Sequence, residues 1–158
     1  MKKKILMVCL GNICRSPMAK AILIKKLDEK NITWVEVDSA GTSDYHSGGN
    51  ADYRTLESGK KHGIDLTTHK ARQFSRRDFD TFDLIYAMDN NNYSDILNQA
   101  SKKEEAEKVK LILNEINPGA NLSVPDPWFG GEKDFEKVFV MLDKACDIIV
   151  EKLQAEDE

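Results

Sequence analysis

The chain has 158 residues, 41% of them hydrophobic and 32% charged, with 23 Lys and Arg against 27 Asp and Glu. That length suits one domain, residues 1–158, able to bury its own core, and the composition excludes both a chain of membrane spans and a disordered tail. A net charge of -4 argues against general affinity for nucleic acid, which needs a concentrated basic face.

Met1-Lys-Lys-Lys followed by apolar residues imitates the start of a signal peptide, but Asn12 and Arg15 interrupt the run before an h-region forms. The longest apolar run, Ile5 to Leu10, is far short of the ~20 residues that span a bilayer. A cytoplasmic protein without membrane attachment is expected. The three cysteines Cys9, Cys14 and Cys146 are an odd number, and their spacing suits neither a disulfide framework nor a zinc knuckle. No metal or other cofactor is expected.

Ile5 to Leu10 reads as a strand covered on both faces, ending at Gly11-Asn12, where the backbone can turn tightly. Ser16-Pro17 predicts an N-cap followed by a first-turn proline, with Met18, Ile22, Leu23 and Leu27 continuing at helical spacing to about Lys30. Trp34 to Asp38 alternates as a second strand. Ala51 to His62 reads as a helix stopped by Gly63, Asp83 to Met88 as a third strand, Tyr93 to Gln99 as a helix and Val109 to Leu113 as a fourth strand. Phe135, Val138, Phe139, Leu142, Ala145, Ile149 and Leu153 form the stripe of an amphipathic C-terminal helix. Alternating strands and helices predict an α/β fold with a parallel sheet. Residues 41–50 and 117–131 read as long surface loops, the basic cluster Lys70, Arg72, Arg76 and Arg77 as a solvated face, and the acidic end 155–158 as frayed.

The chemistry concentrates in Cys9-Leu-Gly-Asn-Ile-Cys-Arg-Ser-Pro17. A cysteine ends the first strand and an arginine follows six positions later at the mouth of a helix. If the loop curls, the amides of Leu10, Gly11, Asn12, Ile13, Cys14 and Arg15 form an anion-binding nest next to the positive helix end. Arg15 supplies a bidentate fork for an oxyanion. A thiol set in that concavity is favoured as its nucleophilic thiolate, and the Ser16 hydroxyl is placed to hydrogen-bond it.

This run resembles the signature of the low-molecular-weight protein tyrosine phosphatases, Cys-x5-Arg-Ser/Thr near the N-terminus. The resemblance extends over nearly the whole chain, through Val37-Asp-Ser-Ala-Gly-Thr42, His69-Lys-Ala-Arg-Gln73, Ala87-Met-Asp89 and Val124-Pro-Asp-Pro-Trp128. It implies a four-stranded parallel sheet with helices on both faces. It also implies that Cys9 attacks phosphorus, Arg15 holds the phosphoryl oxygens, and Asp126 is the general acid and then base; taken alone, Pro-Asp-Pro reads more readily as a rigid turn. Asn12, Ser16, Ser39 and His69 correspond to residues that brace the loop, and Ile13, Tyr45, Trp128 and Phe129 to the substrate cleft. Cys14 corresponds to a cysteine that can trap the oxidised nucleophile, whereas Cys146, on the last helix's apolar stripe, reads as core. The implied substrate is a phosphotyrosine-bearing protein or peptide, with phosphate as product or inhibitor, acted on by a monomer.

Three other readings share the scaffold. An arginine phosphatase typically carries a small polar residue where Ile13 stands. An arsenate reductase needs two further cysteines near the third strand, and residues 82–92 contain none. A non-catalytic anion-binding module is disfavoured by the joint presence of Cys9, Arg15 and Asp126.

Overall fold

The computed structural model describes residues 2–157. Strand β1 (Lys3–Cys9) leads into α1 (Arg15–Glu29), β2 (Val35–Gly41) and α2 (Tyr53–Lys61). A short α3 (Arg77–Thr81) precedes β3 (Leu84–Ala87), followed by α4 (Asn90–Gln99), α5 (Lys103–Glu107), β4 (Val109–Leu111), a 3₁₀ turn (Ile112–Glu115) and α6 (Glu132–Glu156). The four strands are all parallel in the order β2-β1-β3-β4, with Cys9 beside Gly41 and Val8 beside Ala87.

The period-two alternation of β1 explains how both faces are covered. Ile5, Met7 and Cys9 point into a core shared with α1 and α6, whereas Leu6 and Val8 point toward Phe79 of α3 and Ile96 of α4. The C-terminal stripe is buried as its spacing predicts, and Cys146 lies within it against α1, its Sγ 3.8 Å from the Ala19 carbonyl. Replacing the fully buried Leu142 by Ala would cost about 2–5 kcal/mol, the range for a leucine truncated in a close-packed core.

The chain moves from β1 to one side to build β2, then returns across β1 to build β3. This reversal opens a crevice between the C-terminal ends of β1 and β3, where open α/β sheets place their ligands.

Several expectations need correction. Ser16 is not the N-cap of α1. The helix begins at Arg15 after Cys14, no side chain caps it, and the Ser16 hydroxyl faces inward. Pro17 still falls in the first turn, where its missing N–H costs nothing. The fourth strand stops at Leu111 and tightens into the 3₁₀ turn, and the helix predicted from Ala51 starts at Tyr53, with Asp52 accepting from Arg54 N–H. The acidic end is helical through Glu156, whose carboxylate pairs with Lys3 at 2.8 Å; Glu158 lies outside the described residues. The basic cluster is not simply solvated: Arg72 bridges Asp38 at 3.2 Å and Asp78 at 3.1 Å, and Arg76 donates to Ser101. Among the described residues no helix is long and apolar enough to cross a membrane.

Candidate active site

The segment after β1 wraps around the first turn of α1 instead of entering it directly. Asn12 sits at φ 57°, a left-handed conformation that asparagine tolerates better than most residues. Its side chain stabilises that shape from within: Nδ2 donates to Ser16 Oγ at 2.8 Å and Ser39 Oγ at 3.0 Å, while Oδ1 accepts from Arg72 N–H at 3.0 Å. His69 Nε2 lies 2.6 Å from the Asn12 carbonyl; since a carbonyl only accepts, that nitrogen carries the proton. Burial holds the His69 imidazole below its ordinary range, with the bond to Asn12 opposing in part. Asn12, Ser16, Ser39 and His69 thus meet at the loop through these hydrogen bonds.

Among the described residues, the amides of Gly11 to Ser16 have no acceptor within the chain. They form a row of unpaired donors next to the positive end of α1. Cys9 Sγ lies 3.0 Å from Ser16 Oγ. Asn12 already donates to that oxygen, so the serine proton is free to point outward, and sulfur is closer than the Ala40 carbonyl at 3.4 Å. Ser16 can therefore donate to Cys9 when the sulfur is a thiolate, which has no proton of its own to give.

Arg15 is 2% exposed, an unusual depth for a cation. Its Nη1 is 2.6 Å from Asp89 Oδ2 and 3.0 Å from the Val124 carbonyl, and its Nη2 is 3.7 Å from Asp126 Oδ2. Burial alone would lower the guanidinium's affinity for its proton, but the negative charges of Cys9 and Asp89 outweigh it and leave the pKa raised. Asp126 is less buried, and its Oδ1 accepts from Trp128 N–H at 3.1 Å. The Pro-Asp-Pro turn and a carboxylate aimed at the loop are thus one structure.

Cys9, Arg15 and Asp126 open into one cavity of about 470 Å³. Leu10, Gly11, Ile13 and Cys14 also line it, as do Tyr45, Trp128 and Phe129. Tyr45 and Phe129 are 88% and 97% exposed, so they form a rim rather than a packed wall. Burial pushes the Cys14 thiol up to about 12, keeping it protonated at neutral pH. All three cysteines are free. A hollow of about 460 Å³ between α1 and residues 63–70 is of similar size, but its lining includes neither cysteine nor arginine.

Three contributors escaped the sequence reading. Asp89 caps α4 and meets Arg15; it stands in the resembling segment Ala87-Met-Asp89, just beyond a strand's C-terminal end, but the sequence reading assigns it no role there. His46 lines the cavity with its ring 5.8 Å from that of Trp128. Arg54 reaches across from α2 to the loop that carries Asp126. Neither His46 nor Arg54 lies in a recognisable motif.

A family model described as low molecular weight phosphotyrosine protein phosphatase matches residues 4–158. The low molecular weight phosphotyrosine protein phosphatase of Homo sapiens is 42% identical over 153 residues, covering 95% of each chain. Among solved structures, a protein tyrosine phosphatase from Entamoeba histolytica with Hepes in the active site superposes with a TM-score of 0.91 at 37% identity, covering 99% of this chain and 100% of that one. DARP, a Drosophila arginine phosphatase, superposes with a TM-score of 0.88 at 32% identity, covering 97% and 98%. On this evidence the chain belongs to the low molecular weight phosphotyrosine protein phosphatases, a family of hydrolases.

Proposed function

We propose that this enzyme hydrolyses phosphotyrosine monoesters through a phosphocysteine formed on Cys9. The thiolate attacks phosphorus from the base of the cavity as the bond to the phenolic oxygen breaks. Asp126, in its acid form, gives that oxygen a proton, so neutral tyrosine leaves. Asp126 then takes a proton from the attacking water, whose oxygen displaces Cys9 and releases inorganic phosphate. Ser16 stabilises the departing thiolate.

The loop amides and Arg15 supply fixed positive charge where it develops on the phosphoryl oxygens, usually the largest part of catalysis in such sites. A well-placed general acid adds about 10²–10⁴-fold. The observation that carries this reading is the convergence of Cys9, Arg15 and Asp126 on a single cavity with aromatic residues at its mouth.

Substrate choice rests on Ile13, which presents a buried, branched apolar side chain to the cleft. It suits a phenyl ring better than a phosphoguanidinium, which needs polar partners. The similarity to DARP makes phosphoarginine the competing substrate. Turnover measured side by side on phosphotyrosine, phosphoarginine and phosphoserine peptides decides between them. Phosphotyrosine should be hydrolysed fastest, and Cys9→Ser should abolish hydrolysis while inorganic phosphate still binds. Hydrolysis by the Cys9→Ser variant at the wild-type rate would overturn the mechanism, and faster turnover of phosphoarginine would overturn the substrate assignment.

A further inference from the structure

The Asp126 loop is anchored unevenly. Its first limb is tied to the sheet, with Val124 N–H donating to the Met88 carbonyl at 2.8 Å and the Val124 carbonyl accepting from Arg15. Residues 127–130 are different. Among the described residues, their hydrogen bonds to anything beyond 126–134 come from Arg54, whose Nη1 donates to the carbonyls of Trp128 at 2.7 Å and Gly130 at 3.3 Å. The guanidinium also packs 5.3 Å from the Trp128 ring centre and 4.7 Å from that of Phe135.

The other end of this contact is fixed to the nucleophile loop. Asp52 forks onto Arg54, with Nε 3.1 Å from Oδ1 and Nη2 3.3 Å from Oδ2. The backbone N–H of Asp52 donates to the Ile13 carbonyl at 2.9 Å. A continuous path therefore runs from the Cys9 loop through Asp52 and Arg54 to Trp128, whose N–H orients the Asp126 carboxylate.

We infer that Arg54 is a positioning residue that sets the distance and angle between the Cys9 loop and the Asp126 carboxyl. The inference rests on the general-acid reading of Asp126 given above. Rigid placement matters because a displacement of about 1 Å can cost about a hundredfold in rate. Arginine suits the position because its planar fork satisfies a carboxylate and backbone carbonyls together while its face lies against aromatic rings.

The test compares two substrates whose leaving groups differ in need of an acid: phosphotyrosine, which releases a basic phenolate, and p-nitrophenyl phosphate, which releases a weakly basic one. Arg54→Ala should lower kcat/KM, which reports only the step that expels the leaving group, about tenfold to a hundredfold for phosphotyrosine, the cost of misplacing a catalytic group. It should lower kcat/KM for p-nitrophenyl phosphate far less, and leave competitive inhibition by inorganic phosphate unchanged. Arg54→Lys, which keeps the charge but loses the planar fork, should fall between Arg54→Ala and wild type and preserves the comparison should the alanine variant fold poorly. In an Asp126→Asn background, Arg54→Ala should produce no further slowing. Equal slowing of both substrates, or full additivity with Asp126→Asn, would overturn the inference while leaving the acid role intact. If Asp126→Asn itself lowers kcat/KM equally for both substrates, the acid reading falls and takes the role of Arg54 with it.

Discussion

The buried guanidinium of Arg15 is held by Asp89, 2.6 Å away, a residue 74 positions later that caps α4 just beyond the end of β3. One carboxylate thus does two jobs: Oδ1 accepts from Asn92 N–H to start the helix, and Oδ2 neutralises and aims the arginine. An isolated cation at that depth would be costly, so the pair is a condition for placing Arg15 at the cavity that Cys9 and Asp126 share.

Asp89→Asn separates the two jobs. Asparagine caps helices as well as aspartate does, so α4 should persist while the charge on Arg15 goes unanswered. We expect kcat/KM for an aryl phosphate to fall roughly tenfold to a hundredfold, each factor of ten being about 1.4 kcal/mol of transition-state stabilisation. Asp89→Ala should lose a further ~1 kcal/mol of stability in thermal or urea unfolding, because the cap goes too. Wild-type kinetics in Asp89→Asn would show that the backbone contact to Val124 suffices to hold Arg15.

Asn12 holds the phosphate loop both by its φ of 57° and by its side-chain bonds to Ser16, Ser39 and Arg72. Asn12→Ala should destabilise the fold by on the order of 3 kcal/mol, from buried partners left unsatisfied and a strained backbone. Asn12→Gly relieves the backbone but not the partners. Unfolding midpoints should therefore rank wild type, then glycine, then alanine, and an alanine variant as stable as wild type would contradict this view of the loop.

Cys14 lines the same cavity as Cys9, but burial keeps it a protonated thiol, with its pKa pushed up to about 12. Peroxide would convert the Cys9 thiolate to a sulfenic acid, and Cys14 sulfur could then close a disulfide as the sulfenic oxygen departs with a proton as water. Because only the thiolate attacks, closure should accelerate as pH rises. After brief peroxide exposure and then dithiothreitol, wild type should regain more activity than Cys14→Ser. Equal recovery in the two proteins counts against Cys14 as a resolving cysteine.

His69 introduces a pH dependence of fixed sign. Its folded pKa lies below the ordinary value of 6.5, so the unfolded chain takes up the proton first as pH falls. Stability should decline as pH drops below 6.5, as the unfolded state binds more protons there, and the contribution should be level above it. Urea unfolding at pH 7.5 and 5.5 should show a smaller loss in His69→Gln, which keeps a donor for the Asn12 carbonyl but cannot titrate. An identical pH slope in both proteins would remove His69 as its source.

The sequence alone determined the alternation of strands and helices, the apolar stripe of α6 and the turn from β1 into α1 between Cys9 and Arg15. These follow from short-range rules: side-chain periods of two and 3.6 residues, glycine and asparagine at a tight turn, and a cysteine and arginine one loop apart. Ser16 shows where such rules stop, since Ser-Pro has the local form of a helix cap, yet the hydroxyl turns to the Cys9 sulfur, a choice made by the packing of Asn12 and Ser39 around it. Only the tertiary structure paired Arg15 with Asp89, turned Arg72 from an apparent surface charge into a bridge between Asp38 and Asp78, and brought Arg54 to the Asp126 loop. These contacts join segments far apart in the chain, and no periodicity encodes them. They exist because parallel strands bring their C-terminal loops to one edge of the sheet, where charges from distant segments must find partners as water is excluded.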